Sequence, residues 1–266
     1  MNKVMKWVIT IVVLTMLTLS FSIAASLVKP VNDADAKVET GSTEPMLEKR
    51  VHIMYDENYV KPDNPGKPDK PPKPDEGPDC YGFLSKGMKW RSLPIDLYID
   101  DNVPAEIDYE DFYNAVVGAA GEWDSHTNDN IFGNYHPIDD GTWDDTSAEL
   151  DDRNEILFGD YPTSGVIAVC ITWGYYTGPP SSRAIIEFDI MFDIDFTWGD
   201  GEANPNVMDL LNIAVHEIGH GLGLEDQYDD ACSEATMYGY SGEGDIHARD
   251  LWTADITGIQ QLYGAI

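Results

Sequence analysis

Residues 216–226 read His-Glu-Ile-Gly-His-Gly-Leu-Gly-Leu-Glu-Asp. On an α-helix, positions i and i+4 lie one turn apart on the same face, so the imidazoles of His216 and His220 can converge on one point. Two neutral imidazole nitrogens suit Zn²⁺. Glu217, beside the first histidine, can reach a metal-bound water without being a ligand, which is where metal-assisted hydrolysis needs a general base. Gly223 can take φ > 0 and turn the chain back, bringing Asp226 to the metal as a carboxylate ligand. Glu225, Asp229 and Asp230 are carboxylates within a few residues, and Asp226 is preferred over them on its offset from Gly223 alone. The bland alternative is a satisfied helix with two incidental histidines. A bare His-Glu-x-x-His is only moderately specific, and the glycine and carboxylate at these offsets sharpen it.

These residues need a helix to hold them. Val207, Leu210, Leu211, Ala214, Val215 and Ile218 recur at a helical period, with Asn206 and Asp209 suited to the helix start and glycines at 219, 221 and 223 to its end. Upstream, Ile95–Ile99 alternates as a strand does. Glu106 to Asp124 carries Phe112, Val116, Val117, Ala119, Ala120 and Trp123 as one long amphipathic helix. Residues 125–153 are polar and loop-like, and their His126 and His136 are read as surface residues. Glu155–Phe158, Val166–Trp173 and Ile185–Phe192 read as strands. Leu251 to Gly264 suits a closing amphipathic helix ending on glycine. Strands interleaved with helices in this order predict an α+β (α/β-like) domain with a mixed twisted sheet.

His216 to Asp226, followed by Met237, resembles the zinc motif and Met-turn of the metzincin peptidases. Asp255-Ile256-x-Gly258-Ile259-Gln260-x-Leu262-Tyr263-Gly264 resembles the last helix of the matrixin branch. Ile185–Phe192 resembles the matrixin strand that precedes the active-site helix. The resemblance runs over roughly residues 85–264. It implies the metzincin fold and one catalytic zinc on His216, His220 and Asp226, the Asp being a third ligand of snapalysin type. It also implies Glu217 as base, Met237 packed beneath the site, and hydrolysis of peptide bonds. Gly165–Ala168 resembles the edge strand on which an extended substrate pairs antiparallel. The Met-turn segment walls the neighbouring pocket in this family, which makes Tyr238 and Tyr240 candidate pocket residues. The chain also departs from its relatives. Gly239 stands two residues after Met237, where astacins and serralysins carry a tyrosine ligand and matrixins a proline. Phe158–Gly165 holds no histidine, so no second, structural zinc is expected. Calcium is an expected companion because the family uses it. Yet Asp139-Asp140, Asp144-Asp145, Asp151-Asp152 and Asp193/Asp195 show no diagnostic ligand spacing, and each alone reads as a solvated loop.

The rest of the chain bounds where this chemistry operates. A basic start, an apolar run from Val8 to Ile23 and small residues at Ser22, Ala24, Ala25 and Ser26 make residues 1–25 a secretory signal peptide, with an uncleaved anchor as the alternative. Residues 26–79 read as a disordered segment and a Pro/Lys/Asp-rich linker from Lys61 to Asp75. Met46-Leu47 and Val51-His52-Ile53-Met54 within it read as a pro-segment remnant or, preferably, as disordered chain. Residues 80–266 are then one catalytic domain, secreted and monomeric. The net charge is −32, from 48 Asp+Glu against 16 Lys+Arg, which excludes nucleic acid as a partner because phosphate would be repelled. Of the three cysteines, Cys80, Cys170 and Cys232, an exported chain pairs two and leaves one, and the sequence does not choose the pair. Cys80 lies where matrixins keep a zinc-blocking cysteine, but Gly77-Pro78-Asp79-Cys80-Tyr81 lacks the Arg-Cys-Gly pattern of that switch. The expected partner is a protein or peptide substrate. The competing reading is a catalytically inactive extracellular module that holds zinc or calcium.

Overall fold

The structure is a computed structural model that describes residues 46–59, 79–144 and 146–266; the expected signal segment and the Pro/Lys/Asp tract lie outside them. In chain order the strands are β1 (Leu47–Asp56), β2 (Gly82–Phe83), β3 (Ile95–Asp100), β4 (Phe132–Ile138), β5 (Glu155–Gly159), β6 (Val166–Tyr175), β7 (Ala184–Asp193), β8 (Trp198–Gly199), β9 (Met208–Asp209), β10 (Leu224–Glu225) and β11 (Tyr240–Ser241). The α-helices are α1 (Tyr109–Asp124), α2 (Leu210–Gly221) and α3 (Thr253–Tyr263).

β6 and β7 are nearly continuous apolar runs because both of their faces are buried. Ala168 and Cys170 of β6 point into the main core with Phe188, Ile190 and Phe192 of β7. Val169, Ile171 and Trp173 point the other way, into a second cluster with Leu157, Tyr161 and Met191. The seven-stranded sheet runs β11-β1-β6-β7-β5-β3-β4. β4, β3, β5 and β7 are mutually parallel, β6 is antiparallel to β7, and β1 is antiparallel to β6. This mixed sheet with its helices is the α+β arrangement expected from the sequence.

The helices cover one face. α1 packs Phe112, Val116, Ala119, Ala120 and Trp123 against the sheet and α2. Its N-cap, Asp108, accepts the Glu110 N–H at 2.9 Å. α2 starts later than the apolar period suggested, because Asp209 caps it, accepting the Asn212 N–H at 2.8 Å. Arg249 pairs with the same carboxylate and fixes the cap from outside. Trp123 Nε1 donates to the Val215 carbonyl at 2.9 Å, tying α1 to the middle of α2.

Two expectations are corrected. Residues 132–138, read as loop, form β4, an edge strand beside β3. Its exposed Pro137 and half-buried polar residues hide the period, and proline is tolerated there because one side of an edge strand needs no donor. The segment around His52, read as disordered, forms β1, the longest addition to the sheet. It covers the strand expected to be an open edge, pairing Leu47 to Tyr55 against Tyr175 to Val166, with β11 running parallel on its far side.

Candidate metal centre and active site

α2 is buried along almost its whole length, and His216, Glu217 and His220 are fully buried. Each histidine is held through its inner nitrogen. His216 Nδ1 lies 2.8 Å from the Thr236 carbonyl and His220 Nδ1 lies 3.0 Å from the Leu224 carbonyl. A carbonyl only accepts, so both Nδ1 atoms carry the proton and both Nε2 atoms present lone pairs.

Gly223 then turns the chain at φ 107°. A Cβ there would also lie 2.3 Å from the Met88 carbonyl oxygen, so only glycine fits. The turn sends Leu224–Glu225 into a short antiparallel pairing with β2 and delivers Asp226 to the histidines. Asp226 Oδ1 stands 3.2 Å from His216 Nε2 and 3.3 Å from His220 Nε2. Of the other nearby carboxylates, Asp229 accepts the Ala231 N–H at 3.0 Å and Asp230 stands 3.5 Å from the Tyr238 hydroxyl.

These atoms fit a zinc ion. Ligand bonds of about 2.0–2.1 Å in a tetrahedron give ligand–ligand edges of about 3.3 Å. The three atoms are close, yet neither Nε2 nor Asp226 Oδ1 makes an aligned hydrogen bond, although all are buried. Buried polar atoms without partners are costly, and three of them aimed at one point match a ligand set. Asp226 Oδ2 accepts the Tyr228 hydroxyl at 3.0 Å. Burial pushes the Asp226 carboxyl up, but His220 and His216 outweigh it and hold the group below the ordinary carboxylate range.

Glu217 projects from the same turn, and neither of its carboxylate oxygens has a hydrogen-bond partner. Burial, with a smaller contribution from Asp226, raises its carboxyl to about 8, against the opposing pull of His216. Beside a divalent cation this balance reverses, and the carboxylate ionises at neutral pH.

Met237 is fully buried against α2, and Gly219 makes room for it. A Cβ at 219 would stand 2.3 Å from Met237 Sδ and 2.9 Å from a ring carbon of Trp123. Tyr240 joins β11 beside β1, and its ring lies 5.7 Å from Tyr238, 5.6 Å from Tyr228 and 6.3 Å from Tyr55. The candidate pocket tyrosines Tyr238 and Tyr240 therefore stand together, with Tyr228 and Tyr55 beside Tyr240.

Sequence reasoning missed three contributors. Tyr228 reaches the Asp226 carboxylate. Asp255 of α3 accepts the N–H groups of Thr236 and Met237 at 2.8 and 3.3 Å and so holds the segment that orients His216. The third is His52 of β1, whose ring stacks on His220 with centroids 4.4 Å apart. His52, His220 and Asp226 offer ligand atoms that all lie within 4.8 Å of one another. Burial and the adjacent His220 hold His52 well below the usual histidine range, as a neutral imidazole. Its signal was present: Arg50 to Tyr55 is rich in β-branched and aromatic residues at alternating positions.

The cysteines resolve as a Cys80–Cys232 disulfide and a buried free Cys170. Cys80 is therefore not a zinc-blocking thiol in this structure. A second acidic group gathers Asp160, Asp193 and Asp195, and the buried Oδ2 of Asp193 lacks a partner.

A mixed sheet with one antiparallel strand, an active-site helix, a methionine turn and a C-terminal helix define the chain as metzincin-like in fold. Comparison with known sequences narrows this to the matrixin kind. Residues 178–264 match the matrixin family (peptidase M10). Matrix metalloproteinase-16 of Homo sapiens is 38% identical over 90 residues, which is 34% of this chain and 14% of that protein. Stromelysin-1 of Rattus norvegicus is 29% identical over 191 residues, 70% of this chain and 36% of its own. Matrilysin of Homo sapiens is 41% identical over 76 residues, 29% of this chain and 27% of its own. The chain thus spans about a third or less of the length of these relatives, and the likeness is to a matrixin-type metallopeptidase.

Proposed function

We propose that this protein is a secreted zinc-dependent endopeptidase. The observation that carries the reading is the meeting of His216 Nε2, His220 Nε2 and Asp226 Oδ1 at 3.2–3.3 Å beside a buried, unpartnered Glu217. In it His216, His220 and Asp226 hold the metal. When bound, zinc supplies an acidified water and polarises the scissile carbonyl. Glu217 takes the proton from that water and returns it to the leaving amine nitrogen, work that contributes about 10²–10⁴-fold to a rate. A purely structural zinc needs no such base. Thr236 and Leu224 keep both imidazoles in the ligating tautomer through their carbonyls. An extended peptide pairs with β6 and lies against Tyr240; support for this comes from β1, an extended segment already seated there.

Two further parts of the reading have their own support. Export rests on the apolar N-terminal segment, and no helix among the described residues is long and apolar enough to cross a membrane. Calcium binding rests on Asp160, Asp193 and Asp195, since burial raises the Asp193 carboxyl to about 6 and a cation would relieve that cost. Calcium should raise Tm, and the rise should vanish in Asp193→Asn.

The test of the main reading combines metal analysis with hydrolysis of a casein peptide mixture, on the full chain and after limited proteolysis. One zinc per chain and chelator-sensitive cleavage in at least one state are expected. A zinc-loaded chain that cleaves nothing in either state, or cleavage indifferent to chelator, refutes it.

A further inference from the structure

We infer that Tyr228 is a positioning residue for the metal: its hydroxyl holds the second oxygen of Asp226, so that this carboxylate grips the ion through one oxygen only, and residue 239 is glycine to make room for the tyrosine ring. The inference rests on the zinc reading above for the ion and on the following geometry for the tyrosine.

The chain path comes first. The residue after Asp226 is tied twice to the methionine turn. The Gln227 N–H donates to the Met237 carbonyl at 2.7 Å, and the Gly239 N–H donates to the Gln227 carbonyl at 3.0 Å. These bonds fix where the next side chain starts. The Tyr228 ring lies against Gly239, where a Cβ would stand 2.4 Å from its Cε1 and 2.8 Å from its Cζ. It is also edge-on to Tyr240, with ring centroids 5.6 Å apart. From that seat its hydroxyl donates to Asp226 Oδ2 at 3.0 Å. The backbone at 239 is not left-handed and does not itself require glycine; the ring beside it does. The departure at 239 and the hydrogen bond to Asp226 are therefore one feature. Any side chain at 239, including the proline or tyrosine that relatives carry there, meets the ring and pushes it off the carboxylate.

Ligand count makes this bond matter. Three protein ligand atoms and an open fourth position make a catalytic zinc, whereas a fourth protein atom closes it. An imidazole offers the ion one atom, but a carboxylate has two. Asp226 Oδ1 faces both Nε2 atoms at 3.2–3.3 Å, while Oδ2 is engaged by the phenol. A hydrogen bond to an ionised acceptor is stronger than a neutral one, and Oδ2 must give it up to reach the ion. Tyr228 is thus the part that lets a carboxylate stand where a single-atom ligand is needed.

The experiment loads the full chain with Co²⁺ and compares four variants with wild type. Tyr228→Phe keeps the ring and removes the hydroxyl; Gly239→Ala keeps the hydroxyl and displaces the ring. Asp226→His is made alone and combined with Tyr228→Phe. The intensity of the visible bands reports coordination number, falling as a four-coordinate ion gains a fifth ligand atom. Tyr228→Phe and Gly239→Ala should each lose intensity. Zinc-loaded Tyr228→Phe should lose about 10–100-fold in kcat at similar KM. In the Asp226→His background, which has no second oxygen to hold, Tyr228→Phe should leave the spectrum unchanged. If Asp226→His takes up no Co²⁺, the comparison of Tyr228→Phe with wild type decides alone. A wild-type spectrum in Tyr228→Phe overturns the proposal. An equal change in the Asp226→His background also overturns it, because the tyrosine then acts through packing and not through the carboxylate. Altered spectra with no cleavage by any protein keep Tyr228 as a positioning residue and instead overturn the peptidase reading. A wild-type chain that takes up no Co²⁺ overturns both.

Discussion

The Asp255 carboxylate in the last helix accepts the Thr236 N–H at 2.8 Å, and the carbonyl of that same residue accepts His216 Nδ1–H at 2.8 Å. One residue, Thr236, therefore couples the C-terminal helix to His216, a proposed zinc ligand. Asp255 is fully buried, and burial raises its carboxyl against the pull of these N–H bonds. Asp255→Asn keeps only one acceptor oxygen and faces one of the two N–H groups with a donor. It should weaken zinc binding by about 10–100-fold, as loss of such supporting partners does. Competition against a chelator of known affinity checks this, and unchanged affinity would count against the coupling.

Glu217→Gln should leave zinc content at one per chain and lower the rate of peptide hydrolysis by about 10²–10⁴-fold. Hydrolysis at the parental rate in Glu217→Gln excludes Glu217 as the base.

Gly219→Ala places a methyl against Met237 and Trp123 at distances where no Cβ fits. Overpacking of this kind costs about 1–3 kcal/mol. A fall in the urea midpoint with reduced zinc affinity is expected. If the variant is as stable as the parent, the methionine does not pack where the structure puts it.

Three carboxylates at the start of β5 and along β7 set a pH dependence of stability. Burial raises Asp189 to about 9 and Glu187 to about 7, and Asp189 accepts the Glu155 N–H at 2.7 Å. Folded-state values above the unfolded ones mean that the native protein binds more protons than the unfolded chain. Stability is then greatest near pH 4 and is lost as pH rises towards 9. Asp189→Asn retains an acceptor for Glu155 and removes the charge. It should flatten this slope and gain more than about 1.4 kcal/mol at pH 9, the worth of one pKa unit. Parallel stability–pH curves for the two proteins would falsify the assignment.

The Cys80–Cys232 bridge closes a loop with a sequence separation of 152. Chain entropy assigns such a loop about 5 kcal/mol, and measured losses run at roughly 2–5 kcal/mol. Cys80→Ser/Cys232→Ser should lower the urea midpoint accordingly. Cys170→Ser should not mimic this by reduction, since its buried thiol is unpaired.

What could be read from the sequence was what is encoded locally. The His216–Glu217–His220 spacing, the Gly223 turn and the apolar stripe of α1 are all set within one or two helical turns. β6 and β7 declared themselves because burial on both faces makes them uniformly apolar. β4 did not, since an edge strand with Pro137 and His136 has too little apolar surface to show a period. β1 escaped for a different reason: Leu47 pairs with Tyr175 and Tyr55 with Tyr240, so its partners lie more than 100 residues away. A ten-residue segment followed by a Pro/Lys/Asp-rich tract reads as disordered chain until those partners are known, even with its own alternation. The cysteine pairing was hidden likewise, because connectivity is a property of the folded chain.

The disulfide has one more consequence, which concerns topology. Both of its cysteines lie beyond residue 79, so it ties none of the chain before that point to the domain. Residues 60–78 are the sole covalent route between β1 and the rest of the domain. While that route is intact, β1 meets its place between β6 and β11 at an effective concentration of about millimolar, as short tethers provide. A single nick there makes the encounter bimolecular. At micromolar protein, the strand's local concentration falls about a thousandfold, equivalent to about 4 kcal/mol. The bridge meanwhile keeps the new N-terminus fastened beside the loop that follows Asp226, so the loss falls on the strand alone.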